Sequence, residues 1–178
     1  HGPVHVTLIS NMAMKIFRNL VAAGVVPSLV KDYEMTVDDA EIVVLLGALF
    51  HDIGNSAHRE LHDNVGMVLA YPVMDDLLTG IYSEREKQII LCDTLHAMLA
   101  HDTATACNTV EAACVRIADG LDMKMGRAAI GFKMGSSDIH TVSAMSITDV
   151  KIGSAPGKAV AIEIDMNNSA GIFQIDNL

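Results

Sequence analysis

A chain of 178 residues is the length of one domain with room for a small appendage, and long enough to bury a real core. Acidic residues outnumber basic ones 22 to 12, and a net charge of -10 argues against a nucleic acid polymer or an anionic membrane as partner. Hydrophobic residues make up 51% with only 4% aromatic and no Trp, so Ala, Val, Ile, Leu and Met must fill the interior, as they do where helices pack on helices.

In chain order, residues 4 to about 24 read as a helix, with His5, Ile9, Met12, Ile16 and Leu20 on one stripe and Gly24 and Pro27 ending it. Thr36 suits the N-cap of a second helix running to His51, whose first turn carries Asp38, Asp39 and Glu41 at the positive end of the dipole. After a short loop from Gly54 to Ala57, a third helix carries His58, His62, Val65 and Leu69, and Pro72 and Gly80 are expected to break the next stretch. Glu84 to His101 reads as a further helix, and Thr109 to about Met134 as a long one. Composition then shifts. Val160, Ile162, Ile164 and Met166 alternate with Ala161, Glu163 and Asp165, and Gly153-Ser-Ala-Pro-Gly157 is a turn sequence, so residues 135-178 are expected to form a β-hairpin appended to a helical domain of residues 1-134. Cys92, Cys107 and Cys114 are odd in number and lie in apolar contexts, which suggests reduced thiols in a cytoplasmic protein. No apolar run reaches spanning length, and no signal peptide is visible.

The chemistry concentrates at His51-Asp52. The run from Ile42 to Phe50 is apolar throughout and delivers two metal-ligand side chains side by side, after which Gly54 stops it. An unpartnered carboxylate in a dry place costs several kcal/mol, on the order of a full desolvation penalty, and a divalent cation is an economical partner for both groups. A helix C-terminus with a dipole-favoured His is the bland alternative. His5 lies on the buried stripe of the first helix, four residues after His1. A lone His on such a stripe is more often a satisfied core residue; the companions reverse that reading. Asp119 sits in a helix that is apolar nearly all round, with Arg116 and Lys124 as the nearest ordinary ion-pair partners. His58 and His62 are four apart. His96 and His101 are five apart, about 140° around a helix, so only one of them can serve an ion that the other helices surround. The whole set, His5, His51, Asp52, a His of the third helix, one of His96 and His101, and Asp119, is of mixed nitrogen and oxygen donors. It suits Mn, Fe, Mg, Zn, Co or Ni, in one or two divalent ions, and the absence of Cys ligands argues against a structural zinc. Lys124 and Arg127 follow Asp119 within about two turns and are candidates to hold a substrate phosphate, with His96 and His58 as further candidates there.

His5, His51-Asp52 within His-Asp-Ile-Gly, and Asp119 within Ile117-Ala-Asp-Gly-Leu-Asp122 together resemble the HD superfamily of metal-dependent phosphohydrolases over residues 1-134. Uncharacterised archaeal HD proteins, with a similar tail after the helical domain, are the nearest in kind. The resemblance implies a mainly α HD-domain helical bundle, a first metal held by His5, His51, Asp52 and Asp119, and Asp52 as the bridge to a second. His1-Gly-Pro-Val-His5 is similar to the His-Asn-x-x-His of cyclic nucleotide phosphodiesterases, which implies that His1 donates the catalytic proton. His62 before Gly66, and His101 placed 18 residues before Asp119, resemble the second-metal ligands of HD-type dinucleoside polyphosphate hydrolases. Asn55 stands where many relatives carry Lys or Glu, and the Gly-Tyr-Pro extension of cyclic-di-GMP phosphodiesterases is absent. The expectation is a phosphohydrolase that acts on a small phosphate ester or nucleotide through a metal-activated hydroxide. A di-iron HD-type oxygenase and a non-catalytic metal-stabilised interaction module are the competing readings, and a homodimer stays open.

Overall fold

The apolar run ending at Phe50 lies at the centre of the helices. In the computed structural model, which describes residues 2–102, 104–123, 143 and 145–175, it forms the second half of α3, Val37–Phe50. Thr36 starts this helix with a reciprocal cap: its hydroxyl accepts from the Asp39 N–H at 3.2 Å while the Asp39 carboxylate accepts from the Thr36 N–H at 2.9 Å. Apolar side chains on more than one face allow α3 to pack against α1, Pro3–Ala22, on one side and α5, Glu84–Leu99, on the other. Gly47 is what lets the helices come this close, since a Cβ there would stand 3.0 Å from Ala97 Cβ and 3.3 Å from Val115 Cγ2. In α1 the buried stripe is His5, Ile9, Ala13, Ile16 and Phe17, rotated slightly from the one that periodicity suggests.

Three elements differ from expectation. The third helix starts only at His62, so His58 lies in the loop before it and not on the helix. Pro72 does not break the chain but lies inside α4, His62–Leu78. Its ring and its missing N–H fall on the solvent side, where water can serve the carbonyl of Val68, a residue 73% exposed. A six-residue helix, α2 (Ser28–Tyr33), has no counterpart in the sequence pattern. Its first N–H groups are met from far along the chain: Glu111, fully buried, accepts from Ser28 N–H at 3.3 Å and Leu29 N–H at 3.1 Å. The Ser28 hydroxyl in return accepts from Val110 N–H at 2.9 Å, at the start of α6, Val110–Gly120. The expected continuation of α6 beyond Met123 lies outside the described residues.

The chain divides into two units, His1–Ala118 and Asp119–Leu178, with the division inside the last turn of α6. The second unit holds the hairpin: β1, Ile147–Ala155, pairs antiparallel with β2, Lys158–Met166, and Gly157 takes a positive φ of 72° in the turn. Lys151 bridges to Glu163 at 3.3 Å and Asp165 at 3.0 Å across the strands. Asn168 caps the short turn before α7, Ile172–Ile175, by accepting from Ala170 N–H at 2.9 Å. Among the described residues no helix is long and apolar enough to cross a membrane. The first unit is thus helical throughout, and the second carries the small two-stranded sheet.

One core residue carries a pH-dependent cost. Asp93 of α5 is 9% exposed, and its Oδ2 has no hydrogen-bond partner among the described residues. Burial, then the carboxylates of Glu111 and Asp32, push its carboxyl up from 3.8 to about 7. The folded chain therefore holds this proton more tightly than the unfolded chain does. The cost of ionising it is absent below pH 4, builds as pH rises to about 7 and stays above that, on the order of 4 kcal/mol. Asp93→Asn should accordingly raise stability in chemical denaturation at pH 8 and change it little at pH 4. An equal shift at both pH values would show that the charge is not the cause.

Candidate metal centre

Helical backbone would aim adjacent side chains about 100° apart. The chain avoids this by ending α3 at Phe50: His51 is its C-cap and Asp52 leaves the helical region, with φ -101° and ψ 2°. A single 3-10 turn, Ile53–Ser56, comes next. It packs on α4, and Gly54 makes the approach close enough to bring His62, at the first residue of α4, to the same place. His101 arrives from the turn just past α5, and His5 from the first turn of α1.

Asp52 lies between these histidines and uses its two oxygens on opposite sides. Oδ2 faces His5 Nε2 at 3.4 Å and His51 Nε2 at 3.5 Å. Oδ1 faces His62 Nε2 at 3.5 Å and accepts a 2.7 Å hydrogen bond from Asn55 Nδ2. Burial raises the Asp52 carboxyl, but the His5 hydrogen bond and the charges of His51, His101 and His5 outweigh that and hold it at about 2. Two donor groups result, each with its ligand atoms within 4.8 Å of one another: His5, His51 and Asp119, and Asp52, His62 and His101. Asp119 takes its place from the last turn of α6.

The imidazole tautomers show that these groups fit a cation. His51 Nδ1 donates to the Ala48 carbonyl at 2.9 Å, His62 Nδ1 to the Arg59 carbonyl at 2.9 Å, and His101 Nδ1 to the Met98 carbonyl. A ring whose Nδ1 donates in this way has only Nε2 left to offer as a ligand atom. Yet His62 Nε2 and His101 Nε2 face each other at 3.2 Å, as His5 Nε2 and His51 Nε2 do. In the His62–His101 pair two such nitrogen lone pairs at that distance would repel, and a positive charge between them removes the conflict. The backbone carbonyls here do what outer partners of ligating histidines commonly do, fixing the tautomer and the ring plane.

His58 and His96 are in neither donor group. His58 is exposed. His96 Nε2 accepts from the backbone N–H of Asn108 at 3.1 Å. His1, Lys124 and Arg127 lie outside the described residues. A cavity of about 540 Å³ opens beside Asp52, with Asn55, Ser56 and Arg59 among its polar lining and Val6, Leu49 and Ile53 among its apolar walls. Sequence reasoning passes over Arg59, because an isolated Arg in the loop before α4 carries no local signal.

A helical domain with clustered His and Asp side chains around a His-Asp pair defines a metal-binding class of protein, and the chain belongs to the HD domain family, whose model matches residues 7–124. It is also similar, at 38% identity over its whole length, to the uncharacterized protein MJ1020 of Methanocaldococcus jannaschii, 69% of which it covers. No solved structure matches the chain.

Proposed function

We propose that the protein is a phosphohydrolase with two divalent ions, one in each donor group, acting on a small phosphate ester or nucleotide. The observation that carries this reading is Asp52 set between two pairs of facing Nε2 atoms, with one carboxylate oxygen turned to each pair. Bound divalent ions would lower the pKa of water toward about 7 and offset the charge that develops on phosphoryl oxygens. The chain's own residues do the rest. His5, His51 and Asp119 would hold one ion and His62 and His101 the other, with Asp52 available to both. Asn55 fixes the Asp52 carboxylate by its 2.7 Å hydrogen bond, so both oxygens keep their directions. The cavity beside Asp52 receives the substrate, and its apolar walls exclude water from one side of it. His1 is assigned the proton donor to the leaving oxygen by its place in His1-Gly-Pro-Val-His5, and Lys124 and Arg127 are assigned to the phosphate.

Metal analysis combined with a panel of phosphate esters and nucleotides tests this. Two ions per chain and phosphate release with Mn or Mg are expected. One ion at saturation would overturn the two-ion arrangement. Oxygen consumption with iron, and no phosphate release with any metal, would overturn the hydrolase in favour of an oxygenase.

A further inference from the structure

We propose that Arg59 binds a second oxyanion of the substrate, so that the preferred substrate carries a further phosphate or carboxylate group besides the phosphoryl group that is cleaved. This rests on the hydrolase reading above and deepens it. Among the described residues, Arg59 is the one positively charged side chain in the lining of the cavity beside Asp52. Two other arginines of the helical unit are occupied: Arg18 makes a two-pronged pair with Glu41, both bonds 2.8 Å, and Arg116 donates to the Thr105 carbonyl at 2.9 Å. No carboxylate among the described residues pairs with the Arg59 guanidinium, although acidic residues outnumber basic ones 22 to 12. A planar fork of N–H donors left open in this way matches a phosphate or carboxylate edge with two parallel hydrogen bonds.

Position separates this group from the reacting centre. Asp52 is 8% exposed, at the inner end, while Arg59 is exposed, at the mouth. The volume of about 540 Å³ between and around them is the size of a pocket for a small organic ligand, more than one phosphoryl group needs. Val6, Leu49 and Ile53 offer an uncharged wall for the atoms that would join the two anionic ends. The backbone of Arg59 is also tied to the metal centre, because its carbonyl accepts from His62 Nδ1 at 2.9 Å. The guanidinium therefore hangs from an anchor that is fixed relative to the ligands. Asn55 is uncharged and commits an amide N–H to Asp52, so Arg59, four residues on, supplies the positive charge.

Methylenediphosphonate, which has two anionic groups and resists hydrolysis, is the probe, with orthophosphate as the single-anion reference. Both are titrated calorimetrically into the manganese-loaded full chain, into Arg59→Gln and into Arg59→Lys, with metal content measured throughout. The parent should bind the diphosphonate more tightly than orthophosphate. Arg59→Gln should weaken the diphosphonate about 10-fold or more, as expected for one charge-assisted hydrogen-bonded contact, and leave orthophosphate and manganese content unchanged. Arg59→Lys should fall between. Unchanged diphosphonate affinity in Arg59→Gln, or an equal loss for both anions, would overturn the proposal. Absence of phosphate release from any ester would sink the hydrolase reading alone, since the titration reads Arg59 without turnover.

Discussion

Replacing Asp52 with alanine should remove both metal ions and all hydrolysis together. Each oxygen of this carboxylate faces a different histidine pair, at 3.4 Å and 3.5 Å on the Oδ2 side and 3.5 Å on the Oδ1 side. A ligand that serves one ion could be lost with the other ion retained; a ligand between two groups cannot. Without it the four Nε2 atoms still face one another in pairs at 3.2 Å with less negative charge to draw a cation in. Removing an outer partner of a metal ligand commonly costs about 10- to 100-fold in affinity or activity, and loss of the bridge should exceed about 100-fold. Metal content by elemental analysis, with phosphate release at saturating Mn, reads both effects. Asn55→Ala provides the graded comparison, because it frees the carboxylate without removing it. Activity should fall while metal remains. Full metal stoichiometry in Asp52→Ala would end the idea that this carboxylate joins the two groups.

The parts of this arrangement that can be read from the chain are those that residue identity and local spacing encode. Thr36 with Asp39 three residues later marks the start of α3, and the apolar run to Phe50 marks its burial. His51-Asp52 at the end of that run stands out because both residue types are costly in such a place. The hairpin shows in the alternation from Val160 to Met166. What stays hidden depends on partners distant in sequence or on backbone atoms. Helix α2 exists because Glu111, more than eighty residues away, accepts its first N–H groups, and no local pattern near Ser28 records that. Pro72 reads as a break because only the folded chain shows that its side of α4 faces water. The tautomers of His51, His62 and His101 depend on carbonyls three residues back, which any sequence provides and only geometry brings into use. Arg59 likewise gains its interest from where its side chain lies, since a lone Arg in a loop carries no signal.

Gly54→Ala should be the most damaging single-methyl change in the helical unit. A Cβ at residue 54 would stand 1.8 Å from the His62 carbonyl oxygen and 2.6 Å from the Gly66 nitrogen. Both are backbone atoms in α4, so no side chain can swing aside, and the 3-10 turn and the helix must separate. Overpacking a core by one methyl costs about 1–3 kcal/mol when side chains can adjust. Here the cost should reach or pass the upper end of that range. The displacement falls on the first turn of α4, so it also moves His62 away from His101 and from Asp52 Oδ1. One donor group should therefore fail while His5 and His51, on other helices, keep theirs. The expected result is a lowered unfolding midpoint together with a metal content reduced toward half. Gly66→Ala is the control from the other side of the same contact. Its Cβ would meet Gly54 N at 3.4 Å, an ordinary contact, and alanine favours the helix by about 1 kcal/mol over glycine. That variant should match or exceed the parent in stability and retain its metal. Should Gly54→Ala unfold like the parent with full metal content, the tight approach of this turn to α4 would not be what sets His62 in place.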